Sequence, residues 1–314
     1  MSLNGFLTST RRIGLGMPWA WRQAPPVRAF RTVFPWIALA WFAKFLVDRG
    51  LPGDVQIYFE ARGQHLYLGE LGGWTYAYSP AFAQVISPLQ QLPFEQFRVV
   101  FMGAELWGLA YLFGPWWALA ILVFQIWPIW HTLLLGPNLQ IFVTAMLVLA
   151  LNHPTAWPVL FLTKITPGIG ILWPAFRGDW RAVTIGLGLT LAISAVSFAV
   201  APNAWLEWFA WLASQVDASV DSPALPLWLR QVVAIGLLAW AAKRHQVWWV
   251  PVAAALAAPE GGGHMLLLLG AISLFIRHNP LQTYGLDASA SGERRGGPNA
   301  RSPVVPLTHS SGRS

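Results

Sequence analysis

Between Val99 and Thr163 the chain carries one formal charge, Glu105. A run of that length with a single charge cannot clothe a soluble globule, whose surface needs ions and polar groups throughout. The whole chain shares this bias: of its 314 residues, 55% are hydrophobic and 11% charged, where soluble domains carry about 25% charged residues. A β-barrel would show short segments of alternating polarity, and these runs do not alternate. A disulfide framework is excluded because Cys is 0. What remains is an all-α polytopic membrane protein.

The net charge of +7 would suit a nucleic-acid partner, but its placement argues for a membrane. Arg11, Arg12, Arg22, Arg28 and Arg31 crowd the start. Arg177 with Arg181, and Lys243 with Arg244, fill short gaps between apolar runs, and Arg277 follows the last run. This is the positive-inside pattern, and no nucleic acid is expected. With the N-terminus in the cytoplasm, spans are expected at residues 29–47, 80–93, 99–113, 116–134, 139–151, 157–176, 182–201, 225–242, 247–258 and 265–276. That is about ten transmembrane helices, within a range of about eight to eleven because several runs are short for a bilayer. The acids Asp48, Asp54, Glu60 and Glu70 then fall in an external loop at 48–79, and Glu207, Asp217 and Asp221 in another. Three regions follow: a basic cytoplasmic N-terminus (1–28) leading into an uncleaved first helix, one transmembrane domain (29–277), and a disordered cytoplasmic tail (278–314). Trp205, Trp208 and Trp211 share one helical side, so 203–215 is expected to lie as an amphipathic helix at the outer interface.

Polar residues in or beside apolar spans need a reason, since a charge at a helix centre costs about 2.5–3.5 kcal/mol on insertion scales. Asp54, after the turn Gly50-Leu-Pro-Gly53, is either an N-cap for a helix from Val55 or a chemical carboxylate. Lys164 stands about seven residues, roughly 10 Å, into the 157–176 span. It either snorkels or meets a phosphate at the outer leaflet. His264 and His131 are helix–helix hydrogen bonders or functional imidazoles. No phosphate loop, HExxH or CxxC motif is present, so neither a metal nor an organic cofactor is expected.

Asp54-Val-Gln-Ile-Tyr58, then Gly63, Tyr67, Tyr76-Ala-Tyr78-Ser-Pro80, Pro88-Leu89 and Leu92-Pro93, resembles the first external loop of glycosyltransferase family 87. These are polyprenol-phosphate-mannose-dependent mannosyltransferases of the GT-C fold. Thr132-Leu-Leu-Leu-Gly136 with Asn138 is similar to the family's Leu-Gly-Gln-x-Asn segment, with Pro137 in place of the Gln and Gln140 following. Lys164 with Pro167, and Arg177-Gly-Asp-Trp180-Arg181, resemble its Lys-Pro helix and basic turn. Pro259 to His264 resembles its late His element, with Ala258 and Gly262 replacing Ser and Trp. The resemblance implies a hexosyltransferase of a bacterial plasma membrane, both termini cytoplasmic and the active site external. It implies a polyprenyl-phosphate sugar as donor, a glycolipid or glycan as acceptor, and membrane lipids as surroundings. Asp54 would be the general base and Lys164 and His264 the phosphate contacts. Tyr58, Tyr76, Tyr78, His131, Asn138 and Gln140 would line a sugar or acceptor pocket, the tyrosines serving equally as packing groups. The other class the residues admit is a lipid-linked sugar flippase, which needs these charges but no chemistry.

Overall fold

The computed structural model describes residues 25–62, 66–67, 76–218, 226–258 and 266–278. The expectations for 1–24, for the tail beyond 278, for much of the 48–79 loop and for His264 lie outside these residues. Among those described there are helices and turns and no strand. Contacts divide the chain into a unit ending at Leu274 and a second unit, Phe275–Ser314; the first is described below.

Among the described residues, two helices are long and apolar enough to cross a membrane. One is α1 (Pro25–Arg49). The other, α10 (Trp180–Val200), follows α2 (Val55–Glu60), α3 (Pro80–Ile86), α4 (Phe94–Phe113), α5 (Pro115–Val123), α6 (Ile129–Leu134), α7 (Gln140–Ala150), α8 (Trp157–Thr163) and α9 (Leu172–Phe176). The 21 residues of α10 rise about 31 Å at 1.5 Å each, the thickness of a hydrocarbon core. Its Leu191 and Val196 are 69% and 68% exposed, an arrangement suited to lipid and costly in water. A third span exists if α4 and α5 count as one, although they bend by 115° at Gly114, whose φ of 90° is a glycine conformation.

Of the ten spans expected, the described residues give two candidates, or three with the bent pair, and some of the expected runs are broken. Proline is the reason for the breaks: it lacks an amide donor and drives the preceding residue out of the helical region. The 157–176 run breaks into α8 of 7 residues, a 3-10 turn (Thr166–Ile171) opened by Pro167, and α9 of 5 residues. Each piece is far too short to span alone.

The 80–93 run does not cross either. It forms the short α3 and a 3-10 turn (Leu89–Gln91), then returns to the end it left. Gln90 donates its amide to the carbonyls of Tyr58 (2.7 Å) and Ala61 (2.9 Å). Arg98, expected on the far side, donates to the carbonyls of Gly50 (2.9 Å) and Leu51 (3.2 Å). Trp116, at the start of α5, donates to the Arg31 carbonyl near the other end of α1 (3.0 Å). Helices α1 and α4 are therefore antiparallel neighbours, joined at the Asp54 end by a doubled-back segment.

Helix α11 (Pro202–Ala218) contains the expected 203–215 segment, with its tryptophans turned inward. Trp205 and Trp208 are 5% and 6% exposed, and Trp205 donates its indole N–H to Ser197 Oγ (2.9 Å). Leu206 and Phe209 face outward instead. An indole buried beside a hydroxyl satisfies both its apolar body and its N–H, which an interfacial position would leave to water. Helices α12 (Leu227–Lys243), α13 (Trp249–Ala257) and α14 (Leu267–His278) complete the described chain.

Candidate active site

The two motif segments singled out in the sequence meet backbone to backbone. The Leu51 amide donates to the Leu134 carbonyl (2.9 Å). Gly136, at φ 104°, lies so close that a Cβ there would sit 2.5 Å from the Leu51 carbonyl oxygen and 2.6 Å from the Gly53 nitrogen. Gly53, at φ 59°, has the same restriction toward Leu135 and Gly136. With Arg98 binding the Gly50 and Leu51 carbonyls just past the end of α1, the turn bearing Asp54 is fixed on both sides.

Asp54 stands at the N-cap position of α2, as the capping reading requires. Its backbone is nevertheless helical (φ −62°, ψ −18°), and its side chain makes no capping hydrogen bond. A capping residue normally adopts an extended backbone so that its oxygen can reach back to the second or third amide. The Asp54 carbonyl accepts from the Tyr58 amide (3.2 Å), which sets Tyr58 one turn away.

Tyr58 is fully buried, and its hydroxyl shares hydrogen bonds with Tyr78 Oη (2.5 Å) and the Asn138 carbonyl (3.2 Å). A phenol has one proton, so Tyr58 donates to Asn138 and Tyr78 donates to Tyr58. Burial first, then the neighbouring Tyr78 and Asp54, pushes the Tyr58 hydroxyl well above the ordinary phenol range, so it remains a donor. Tyr76 donates to the Ser79 carbonyl (3.3 Å) and Tyr67 to the Tyr78 carbonyl (2.5 Å). Ser79 donates to the Leu162 carbonyl (2.6 Å), tying this aromatic segment to the end of α8.

Lys164 follows directly. It is not inside a continuous span: it is the C-cap of α8, in extended conformation (φ −121°, ψ 104°). Contacts to Ser79, Tyr78 and Gln140 bring the C-terminal end of α8 to this cluster. The ammonium gains from the helix carbonyls, donates to Gln140 Oε1 (2.9 Å) and lies 5.9 Å from the Tyr78 ring centre. Hydrogen bonds and ring contacts thus run from Asp54 through Tyr58 and Tyr78 to Lys164 and Gln140.

Gln140 opens α7, whose buried first turn is fully satisfied. Asn138 Oδ1 accepts from the Gln140 amide (2.9 Å), and Glu105 Oε2 accepts from those of Ile141 (2.8 Å) and Phe142 (3.2 Å). The Val143 amide reaches the Leu139 carbonyl (2.8 Å). Glu105 is the residue that sequence reasoning passed over, although its standing as the lone charge in its run was the available signal. His131 is placed elsewhere, against Trp127 with ring centres 4.1 Å apart and the rings tilted by 56°. A separate cavity of about 270 Å³ lies beyond the C-terminus of α2, where Arg62, Gln84, Ser87, Gln90 and Gln91 are among its lining residues. No cluster of three or more potential metal ligands occurs among the described residues.

Apolar spanning helices around one end that gathers a carboxylate, buried phenols and an ammonium define a membrane protein with a polar site at the end of its helices. The family profile of glycosyltransferase family 87 matches residues 74–284, more than half of the chain, and the chain belongs to that family. It is therefore a membrane glycosyltransferase. The matched segment holds Tyr76, Tyr78, His131, Asn138, Gln140, Lys164 and His264, and it begins after Asp54 and Tyr58. No curated protein and no solved structure matches the chain.

Proposed function

We propose that this glycosyltransferase moves a hexose, mannose by its resemblance, from a polyprenyl-phosphate donor to a hydroxyl of a lipid or glycan acceptor. The reaction takes place at the outer face of a bacterial plasma membrane, with both termini in the cytoplasm. The observation that carries the reading is Asp54: it occupies a cap position without capping, on a turn locked by Gly53 and Gly136. Asp54 takes the proton of the acceptor hydroxyl as its oxygen bonds to the anomeric carbon. The bond from that carbon to the phosphate oxygen breaks, and the polyprenyl phosphate leaves as an anion beside Lys164. Displacement by the acceptor from the opposite face inverts the anomeric centre. The phosphate is already a stable leaving group, so one carboxylate suffices and no metal enters the scheme. A positioned base contributes about 10²–10⁴-fold. His264 is a second phosphate or acceptor contact, and Tyr58, Tyr76 and Tyr78 shape the pocket wall. His131, packed against Trp127, has no step here.

The test is transfer of radiolabelled mannose from polyprenyl-phosphate mannose to membrane lipids by the purified protein in nanodiscs. Labelled glycolipid is the expected product. Movement of the donor between leaflets without any glycolipid would replace the enzyme reading with that of a flippase.

A further inference from the structure

Glu105 is a titratable group the mechanism above leaves unused. It is 1% exposed, deep in α4, in a run where every other residue avoids formal charge. Capping alone does not require it, because a serine or asparagine oxygen also accepts amide hydrogen bonds and buries no charge. The carboxylate instead stands at the start of a short chain of contacts. It holds the Ile141 and Phe142 amides, and Gln140, one residue earlier, holds the Lys164 ammonium. Two further features fix the register of this contact. Gly108, almost one turn along from Glu105, lets the first turn of α7 approach so closely that a Cβ would lie 2.9 Å from the Ile141 carbonyl oxygen. Leu139 is forced to φ 61°, rare for a residue with a side chain and stable only where its surroundings determine it. Gln140 Nε2 and Glu105 Oε1 are buried without a hydrogen-bond partner. The amide therefore keeps a donor beside the ammonium, suited to an anionic oxygen.

We propose that Glu105 is a positioning residue for the donor phosphate: it anchors the first turn of α7 so that Gln140 holds Lys164 beside Tyr78 and adds its own N–H to the same phosphate. The inference rests on the reading of Lys164 as the phosphate contact.

The test measures donor KM and kcat with polyprenyl-phosphate mannose on the full chain in nanodiscs. Glu105→Gln keeps the shape and an acceptor oxygen but removes the charge. It is expected to raise donor KM about tenfold, the scale of one weakened charge-assisted contact, with kcat at saturating donor within about twofold of wild type. Combined with Lys164→Met, it should add little to the loss from Lys164→Met alone, because residues acting through one contact are not additive. Independent, multiplying losses, or a lowered thermal midpoint with unchanged KM, would reduce Glu105 to a structural cap and overturn the proposal. Should Glu105→Gln fail to insert, Gln140→Met leaves the Glu105 cap intact and cuts the link to Lys164. The same KM rise is expected, and an unchanged KM overturns the proposal. A rise with Lys164→Met but none with Glu105→Gln or Gln140→Met defeats this inference alone. No rise with Lys164→Met defeats the phosphate reading and this inference together.

Discussion

Asp54 and Asp179 hold the same place relative to a helix, each the residue before its first turn. Asp179 accepts from the Ala182 amide (3.1 Å) at the head of α10, as an N-cap does. Asp54, at the head of α2, makes no such bond. The surroundings account for the difference. Asp179 follows Gly178 in a short turn that leaves its backbone outside the helical region, at ψ 67°. Asp54 sits on a turn pinned between Arg98 and Gly136, with its backbone helical and no side-chain cap to the α2 amides. One carboxylate is committed to stability, and the other is held in place without serving the helix. Position in sequence therefore does not separate an aspartate that caps from one that does not; the hydrogen-bond geometry does.

The largest effect should come from breaking the clamp that makes Asp54 different. Gly136→Ala introduces a Cβ about where the Leu51 carbonyl and Gly53 nitrogen lie, at a φ that alanine avoids. A loss of about 3 kcal/mol or more is expected, seen as a steep fall in the thermal midpoint with transfer abolished. Next is the far end of the site. Lys164→Met should weaken donor binding by about one to two decades, the worth of a lost charge-assisted contact, while detergent-solubilised protein still elutes as folded. An unchanged affinity would mean that the ammonium serves only its own helix end. The two smallest effects sharpen the comparison directly. Asp179→Ala should cost about 1 kcal/mol of stability, as lost caps do, with turnover close to wild type. Asp54→Ala should cost less stability than Asp179→Ala, because no capping bond disappears. Equal stability losses for the two alanine variants would show that both aspartates cap.

The membrane class was legible in composition, since so few charges leave no soluble solution. Both halves of the Asp54 clamp were legible as motifs, through Gly53 and Gly136. Their meeting was not, because the contact between Tyr58 and Asn138 crosses 80 positions of chain and no local pattern encodes it. The 80–93 segment offered a usable warning: 14 residues rise only about 21 Å, short of a bilayer. Lys164 was singled out by its isolation, yet its setting was misread because hydropathy averages across Pro158, Pro167 and Pro174 and does not register the breaks they cause. The Trp205 side was misread for a related reason: periodicity finds the face but cannot say whether lipid or protein covers it. Glu105 escaped because its partner amides lie on another helix.

The account stands most directly on turnover of Asp54→Asn, measured in the same nanodisc preparation as its affinity for polyprenyl-phosphate mannose. The amide keeps the size of the side chain and loses the proton acceptor. Transfer should fall at least about a hundredfold, with donor affinity and thermal midpoint near those of the wild type. Wild-type turnover in Asp54→Asn would contradict the account and remove Asp54 from the chemistry.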